Sequence, residues 1–299
     1  MARPPTLLAR GVREVFRREQ IPTRLLWWFA AEGMAEWFEL LRRELGPHLG
    51  GLAGAETALA AVAVPLFQRR HDVLHARFRS VPARADDLAG RRDTGLLLGG
   101  LLRIARKPEA RWVFGELGGA PRTVAEHLRA ETMMQGLSLH DRWVEVTHHL
   151  GELLVAMTEH LPARLPRVRP ILGEICTAAG ERFGRKMRLA FGMDASPANA
   201  LELLRMSEYV FRVNPSHWGD SGPTTGWLEG TACPWYASPG WNGAHCGIFG
   251  QFQSGISAAF GLRYHLTSTI PKNGGHTCRI DVRPIEGDRL VRLRRGEAA

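Results

Sequence analysis

The chain has 299 residues, 44% of them hydrophobic and 23% charged, which excludes an intrinsically disordered chain and is enough to bury a sizeable core. Its 39 Lys and Arg against 30 Asp and Glu give a formal charge of +9. The arginines are scattered (Arg42–Arg43, Arg69–Arg70, Arg91–Arg92, Arg292–Arg294–Arg295), without aromatic interleaving, zinc-finger spacing or a helix-turn-helix, so no nucleic-acid partner is expected.

Residues 1 to about 160 read as helix after helix. Pro4 to Glu19 is amphipathic, and Pro22 to Leu45 carries Trp27, Trp28 and Trp37 on an apolar stripe. Further helical patterns run through 55–70, 94–106, 121–135 and 139–161, punctuated by glycine and proline. The longest apolar stretch, Leu52 to Phe67, contains Glu56 and falls short of the roughly 20 residues that span a bilayer. No membrane partner is expected, and with no signal-peptide core the expected compartment is the cytoplasm, with reduced thiols.

The proline-rich stretch Pro162 to Pro170 is the candidate boundary between a helical domain, 1–164, and a second domain, 165–299. Beyond it the pattern predicts helices over 171–190 and 197–206 and strands at Glu208 to Val213 and Gly226 to Cys233. A helix over 243–261 follows. Two more strands, Arg263 to Ile270 and Thr277 to Val282, are joined by the turn Pro271 to Gly275. The fold class is therefore α+β: a helical N-terminal half followed by a small antiparallel sheet packed with helices.

Chemistry concentrates between Cys233 and Cys278. Projected at about 100° per residue, Ile248, Phe249, Phe252, Ile256 and Phe260 form one face of the helix after Gly243. Cys246, Gly250, Gln253 and Ser257 form a narrow stripe beside it, which suits either a pocket wall or close packing of the helix on the sheet. Asn242 is a plausible N-cap, and a thiol in the first turn beyond it would be favoured as thiolate. A neighbouring imidazole, His245, His265 or His276, could serve as base. The bland alternative for Cys246 is a buried packing residue. Cys233, Cys246, Cys278 and the histidines could also supply zinc ligands, but no Cys-x-x-Cys pair exists.

The segments Cys233-Pro-Trp-Tyr, His245-Cys246 and Tyr264-His-Leu-Thr-Ser-Thr-Ile-Pro-Lys-Asn-Gly-Gly-His-Thr-Cys278-Arg-Ile-Asp resemble the C-terminal part of the L-2-amino-thiazoline-4-carboxylic acid hydrolase family. They are also similar to the related bacteriochlorophyll 4-vinyl-reductase-type domain, a small-molecule-binding α+β module. The resemblance covers residues 180–283 and leaves the helical half unexplained. In zinc-containing members among aromatic-sensing regulators, the final cysteine follows another cysteine eight residues upstream and a glutamate three residues before that. Here those positions are Ile270 and Thr267, while Cys246 and Cys278 match the other two ligands. The cage is incomplete, so neither a metal nor a cofactor is expected.

Two other groups stand out. Glu145-x-x-His148 has the spacing of a di-iron half-site, but the helical wheel puts it with His149 and Glu152 on the solvent side, opposite Trp143, Leu150 and Leu154. The loop Asn214 to Gly222 holds His217, Trp218 and Asp220 as further substrate-binding candidates. The expectation is a thiol-dependent hydrolase or ring-opening or ring-forming enzyme acting on a small heterocyclic or amidine-like metabolite. Cys246 would be nucleophile and His265 or His276 base. Asn242, His245, Gly250, Gln253, Ser257, Cys233, Cys278, His217, Trp218 and Asp220 would surround the substrate. The alternatives are a non-enzymatic sensor or carrier whose helical half relays or forms a homodimer, and a reductase using an external donor.

Overall fold

A computed structural model describes residues 7–59, 61–63, 66, 139–213, 217–236, 238–270 and 277–285. The expected patterns at 94–106 and 121–135, the turn at 271–275, His276 and the arginine-rich tail lie outside them. The described chain runs α1 (Leu7–Arg17), α2 (Thr23–Leu45), a short 3-10 turn (Gly46–His48), a helical run at 52–59, then α3 (Leu139–His160). It continues with α4 (Val168–Phe191), α5 (Pro197–Val210), β1 (His217–Ser221), β2 (Gly226–Gly230), α6 (Gly243–Ala258), β3 (Leu262–Ser268) and β4 (Cys278–Pro284). No helix among these residues is long and apolar enough to cross a membrane.

Two units divide the chain, residues 22–168 and residues 1–21 with 169–299. In the first, α2 buries Leu26, Trp27, Ala30, Met34, Phe38, Leu41 and Leu45, the spacing of a single helical face. On α3, His148, His149 and Glu152 are half-buried, so the solvent side expected for them is corrected; the Glu145 side chain is outside the description.

The second unit differs from the expected 165–299 domain because α1 belongs to it. The Arg13 guanidinium donates through Nε to Glu202 Oε1 at 2.6 Å and through Nη2 to Glu202 Oε2 and Asn199 Oδ1, both at 2.7 Å. A two-pronged, partly buried guanidinium–carboxylate contact is the strong form of an ion pair, and it pins α1 to α5.

The four strands form one antiparallel sheet in the order β1-β2-β4-β3. Its inner face carries Leu228, Ile280, Val282 and Leu262, all buried, and packs with Leu201, Leu204, Ile256 and Phe260. Trp227, Glu229, Arg279 and Asp281 alternate onto the other face, where Arg279 stacks over Trp227 at 4.3 Å.

Two expectations change here. Glu208 to Val213, read as a strand from its β-branched and aromatic content, belongs mostly to α5. The helix runs to Val210 and closes with Arg212 at φ 60°, while the Val213 N–H bonds the Glu208 carbonyl at 2.9 Å. That is a left-handed cap, made here without the glycine that usually signals one. The turn-rich segment at His217 to Ser221, read as a loop, is instead edge strand β1, whose Gly219 lies so close to β2 that an added Cβ would sit 2.4 Å from the Trp227 carbonyl oxygen.

Helices α4 and α6 cross backbone to backbone. A Cβ on Gly180 would lie 1.9 Å from the Phe252 carbonyl oxygen, and one on Gly255 would lie 2.2 Å from that of Thr177. Gly255→Ala is expected to destabilise the unit by about 3 kcal/mol or to prevent folding, the upper end of what overpacking costs. Gly247, on the same helix, has nothing within 4 Å of a built Cβ, so Gly247→Ala should stabilise by about 0.5–1 kcal/mol. Urea unfolding of the two variants checks both signs.

Candidate active site

Three thiols meet at one end of the sheet. Cys278 opens β4 opposite Gly230, the last residue of β2, and Cys233 follows in the loop after β2. Cys246 stands in the first turn of α6. Cys246 acts electrostatically on both Cys233 and Cys278, and Cys233 on Cys278; Cys176, in α4, is buried, and all four are free thiols.

Local structure holds Cys246 in place. Asn242 caps α6, its Oδ1 accepting from the Ala244 N–H at 3.0 Å. Its own N–H donates to His245 Nδ1 at 3.1 Å, completing a reciprocal cap. This contact commits Nδ1 of the buried His245 ring to the helix end. Asn242, expected to help hold an anion, is likewise committed to the cap. The Trp241 indole Nε1–H donates to Cys246 Sγ at 3.3 Å. Both that bond and the helix N-terminus stabilise negative charge on sulfur. Trp241 packs on Trp235, with centroids 5.0 Å apart, and Trp235 on Phe249 at 4.8 Å. Neither indole stands among the residues expected from sequence, although a Trp five residues before the thiol is a readable signal.

The polar wall beside the thiols is a chain of three side chains. Tyr264 Oη donates to Gln253 Oε1 at 2.5 Å, and Gln253 Nε2 donates to the Glu208 carboxylate. Gln253 and Glu208 are 4% and 1% exposed, so this amide and carboxylate form part of the interior. Sequence reasoning missed Glu208 by placing it at the start of a strand. On a helix, Ala200, Leu204 and Glu208 share one buried stripe, and an acid there is the available signal.

The remainder of the predicted stripe does other work. A Cβ on Gly250 would contact Tyr264 and Leu266 at 3.5–3.8 Å, so Gly250 seats β3 on the helix rather than opening a cavity. Ser257 turns its hydroxyl back to the Gln253 carbonyl at 3.0 Å.

His265 falls on the wrong side of the sheet. Its neighbours Tyr264 and Leu266 face α6, so alternation sends His265 to the far face, in register with Asp281. It is corrected as the base for Cys246; His276, the other candidate, lies outside the described residues. His217 is an edge residue of β1 in register with Gly230, and Trp218 follows it; their side chains are outside the description. Asp220 is exposed, its Oδ1 accepting from the Ser221 N–H at 2.7 Å. It borders a separate open groove of about 460 Å³ beside Phe16, Leu201, Arg205 and Tyr209, three residues along β1 from the thiol end.

Burial pushes the Cys233 thiol up to about 11 and Cys278 up to about 12, despite backbone N–H groups that bond both sulfurs, such as Ile270 N to Cys278 Sγ at 3.2 Å. Burial alone takes Cys176 to about 12. Tyr264 is raised too, by burial and then by Glu208, Cys278 and Cys246. Among the described residues no three His, Cys, Asp or Glu side chains are arranged around a common metal position.

Two measurements follow. Iodoacetamide mapping of the native protein at pH 8 should label Cys246 ahead of Cys233 and Cys278, which react only as pH nears 11–12. The native state keeps protons that unfolded thiols lose near 9.0, so the unfolding free energy should fall as pH rises from about 9 to about 12. A native Cys278 labelled at pH 8 as fast as Cys246 contradicts the burial. Compared with protein-family models, curated proteins and solved structures, the chain matches none of them.

Proposed function

We propose that the C-terminal unit is a thiol-dependent hydrolase, or a ring-opening or ring-forming enzyme, acting on a carbon–nitrogen bond of a small heterocyclic or amidine-like metabolite in the cytoplasm. The observation that carries this reading is the Trp241 indole donating at 3.3 Å to a thiol seated in the first turn of a capped helix. Helix terminus and indole together favour the nucleophilic form of Cys246. Cys233 and Cys278, held neutral by burial, keep competing negative charge away from it at neutral pH. The Trp241 indole, packed on the buried Trp235, is an aromatic ring beside the sulfur that suits a planar substrate.

The open groove beside Asp220 favours a second reading, a non-enzymatic module that binds a small molecule away from the thiols. Assays of the purified chain against a panel of 2-amino-thiazoline and cyclic amidine carboxylates separate the two. Cys246→Ser should lower turnover by about 10³-fold or more while leaving the fold and binding intact. Undiminished turnover in this variant ends the nucleophile assignment. Binding without turnover by the natural chain favours the second reading.

A further inference from the structure

The groove of about 460 Å³ is walled by α1, α5 and β1 and has the size of a small-molecule site. None of its lining residues is a thiol, and every wall belongs to the unit of residues 1–21 and 169–299. Phe16, Leu201, Met206, Tyr209 and Leu228 form its apolar part. Most of its charges are already paired. Glu202 accepts from Arg13 on both oxygens, and Glu19 pairs with Arg205. Arg17 stands apart: its guanidinium lies 3.9 Å from Glu202 and 3.8 Å from Glu14, too far for a hydrogen bond. Among the described residues nothing accepts from its N–H donors, which form a planar fork that matches a carboxylate. The edge strand β1 supplies another donor. The Gly222 N–H bonds the Thr225 carbonyl at 2.9 Å, so alternation along the ladder turns the backbone groups of Gly219 and Ser221 to the free edge. Asp220 Oδ1 takes the Ser221 N–H at 2.7 Å, whereas the Gly219 N–H has no such cap. The Asp220 side chain itself is in register with Trp227 and so belongs to the sheet face turned away from α5.

We propose that this groove binds a small organic carboxylate with an apolar body, held through its anionic head by Arg17. The inference rests on the second reading above, in which a small molecule binds in the groove, and is independent of the hydrolase reading. The two acids nearest Arg17 do not take its place as partners. Glu202 is committed to Arg13, and Glu14 bonds Arg18 Nε at 2.8 Å. They do set the charge of the ligand: a singly charged head matches a guanidinium flanked by carboxylates, whereas a dianion such as a phosphate ester meets their repulsion twice over. Phe16 and Tyr209 give the body of the ligand aromatic walls, which favours a ring over a chain. The Gly219 N–H remains for a neutral acceptor on that ring, and a side chain at 219 is excluded because its Cβ would meet the Trp227 carbonyl oxygen.

The test measures, by ligand-observed NMR titration of the full chain, the affinities of three probes of one shape: phenylacetate, phenylacetamide and benzylammonium. Phenylacetate should bind about tenfold tighter than either of the others, the gain expected of a charge-assisted hydrogen bond. Arg17 is mostly exposed, so Arg17→Gln should fold normally. It should lower phenylacetate affinity by about tenfold and leave phenylacetamide where it was. Ala198→Phe, on the exposed part of the α5 wall, should fill the groove and weaken all three probes. Alkylating Cys246 beforehand should change none of the affinities, since the groove contains no thiol. Two kinds of failure are distinct. If no probe binds, or if binding survives Ala198→Phe and is lost on alkylation, the groove is not a small-molecule site and the second reading falls with the inference. If Ala198→Phe weakens binding but benzylammonium or phenylacetamide equals phenylacetate, or Arg17→Gln leaves phenylacetate unchanged, the groove stands as a site and its assignment to carboxylates is overturned.

Discussion

The contact between the backbones of α4 and α6 constrains the whole C-terminal unit. At Gly180 and Gly255 each helix meets the other's main chain so closely that any side chain would collide, and Gly184 repeats the approach one turn on against Ile256 and Ala259. A helix held on one side by main chain is not free to roll about its axis. Its opposite side is thereby fixed, and it is this side that carries Gly250 and Gln253 against β3 and α5. Arg188 reinforces the crossing by donating to the Ala259 carbonyl at 2.6 Å, where the end of α6 would otherwise leave an acceptor unmet. The thiol in the first turn inherits its position from this arrangement, about two and a half helical turns before Gly255.

Much of this arrangement is legible in the order of the residues. Asn242 followed by a run of apolar residues at helical spacing locates α6 to within a few residues, and the alternation on either side of Lys272–Asn273 locates β3 and β4. The α+β class follows from the same signals. Other parts cannot be read locally. Tyr209-Val-Phe-Arg-Val has the composition of a strand but completes α5, because the tertiary packing of Leu201, Leu204 and Glu208 outweighs a propensity worth a few tenths of a kcal/mol per residue. Its end is unmarked, since Arg212 rather than glycine takes the left-handed conformation. The small-residue stripe is visible, yet periodicity cannot tell a residue that is small to admit a ligand from one that is small to admit a neighbour. Gly250 and Ser257 prove to be the second kind; Gln253 is polar wall. His265 illustrates the same limit on strands, where one step in register sends a side chain to the far face.

The four thiols stand in different surroundings within one fold. Cys176 is raised by burial alone, and Cys233 and Cys278 by burial that outweighs their backbone donors. Cys246 has a helix terminus and an indole. On the proposed reading, position relative to donors, rather than residue type, sets Cys246 apart from the other three sulfurs.

The clip between Arg13 and Glu202 joins positions 189 residues apart in sequence. Because α1 precedes α5 in the chain, it is without this partner until residues 22–168 have been made. The contacts that close the thiol-bearing unit are thus long-range in sequence, the kind that form slowly. Closure of the thiol-bearing unit therefore depends on α5, and a chain truncated before α5 leaves α1 with its apolar face exposed.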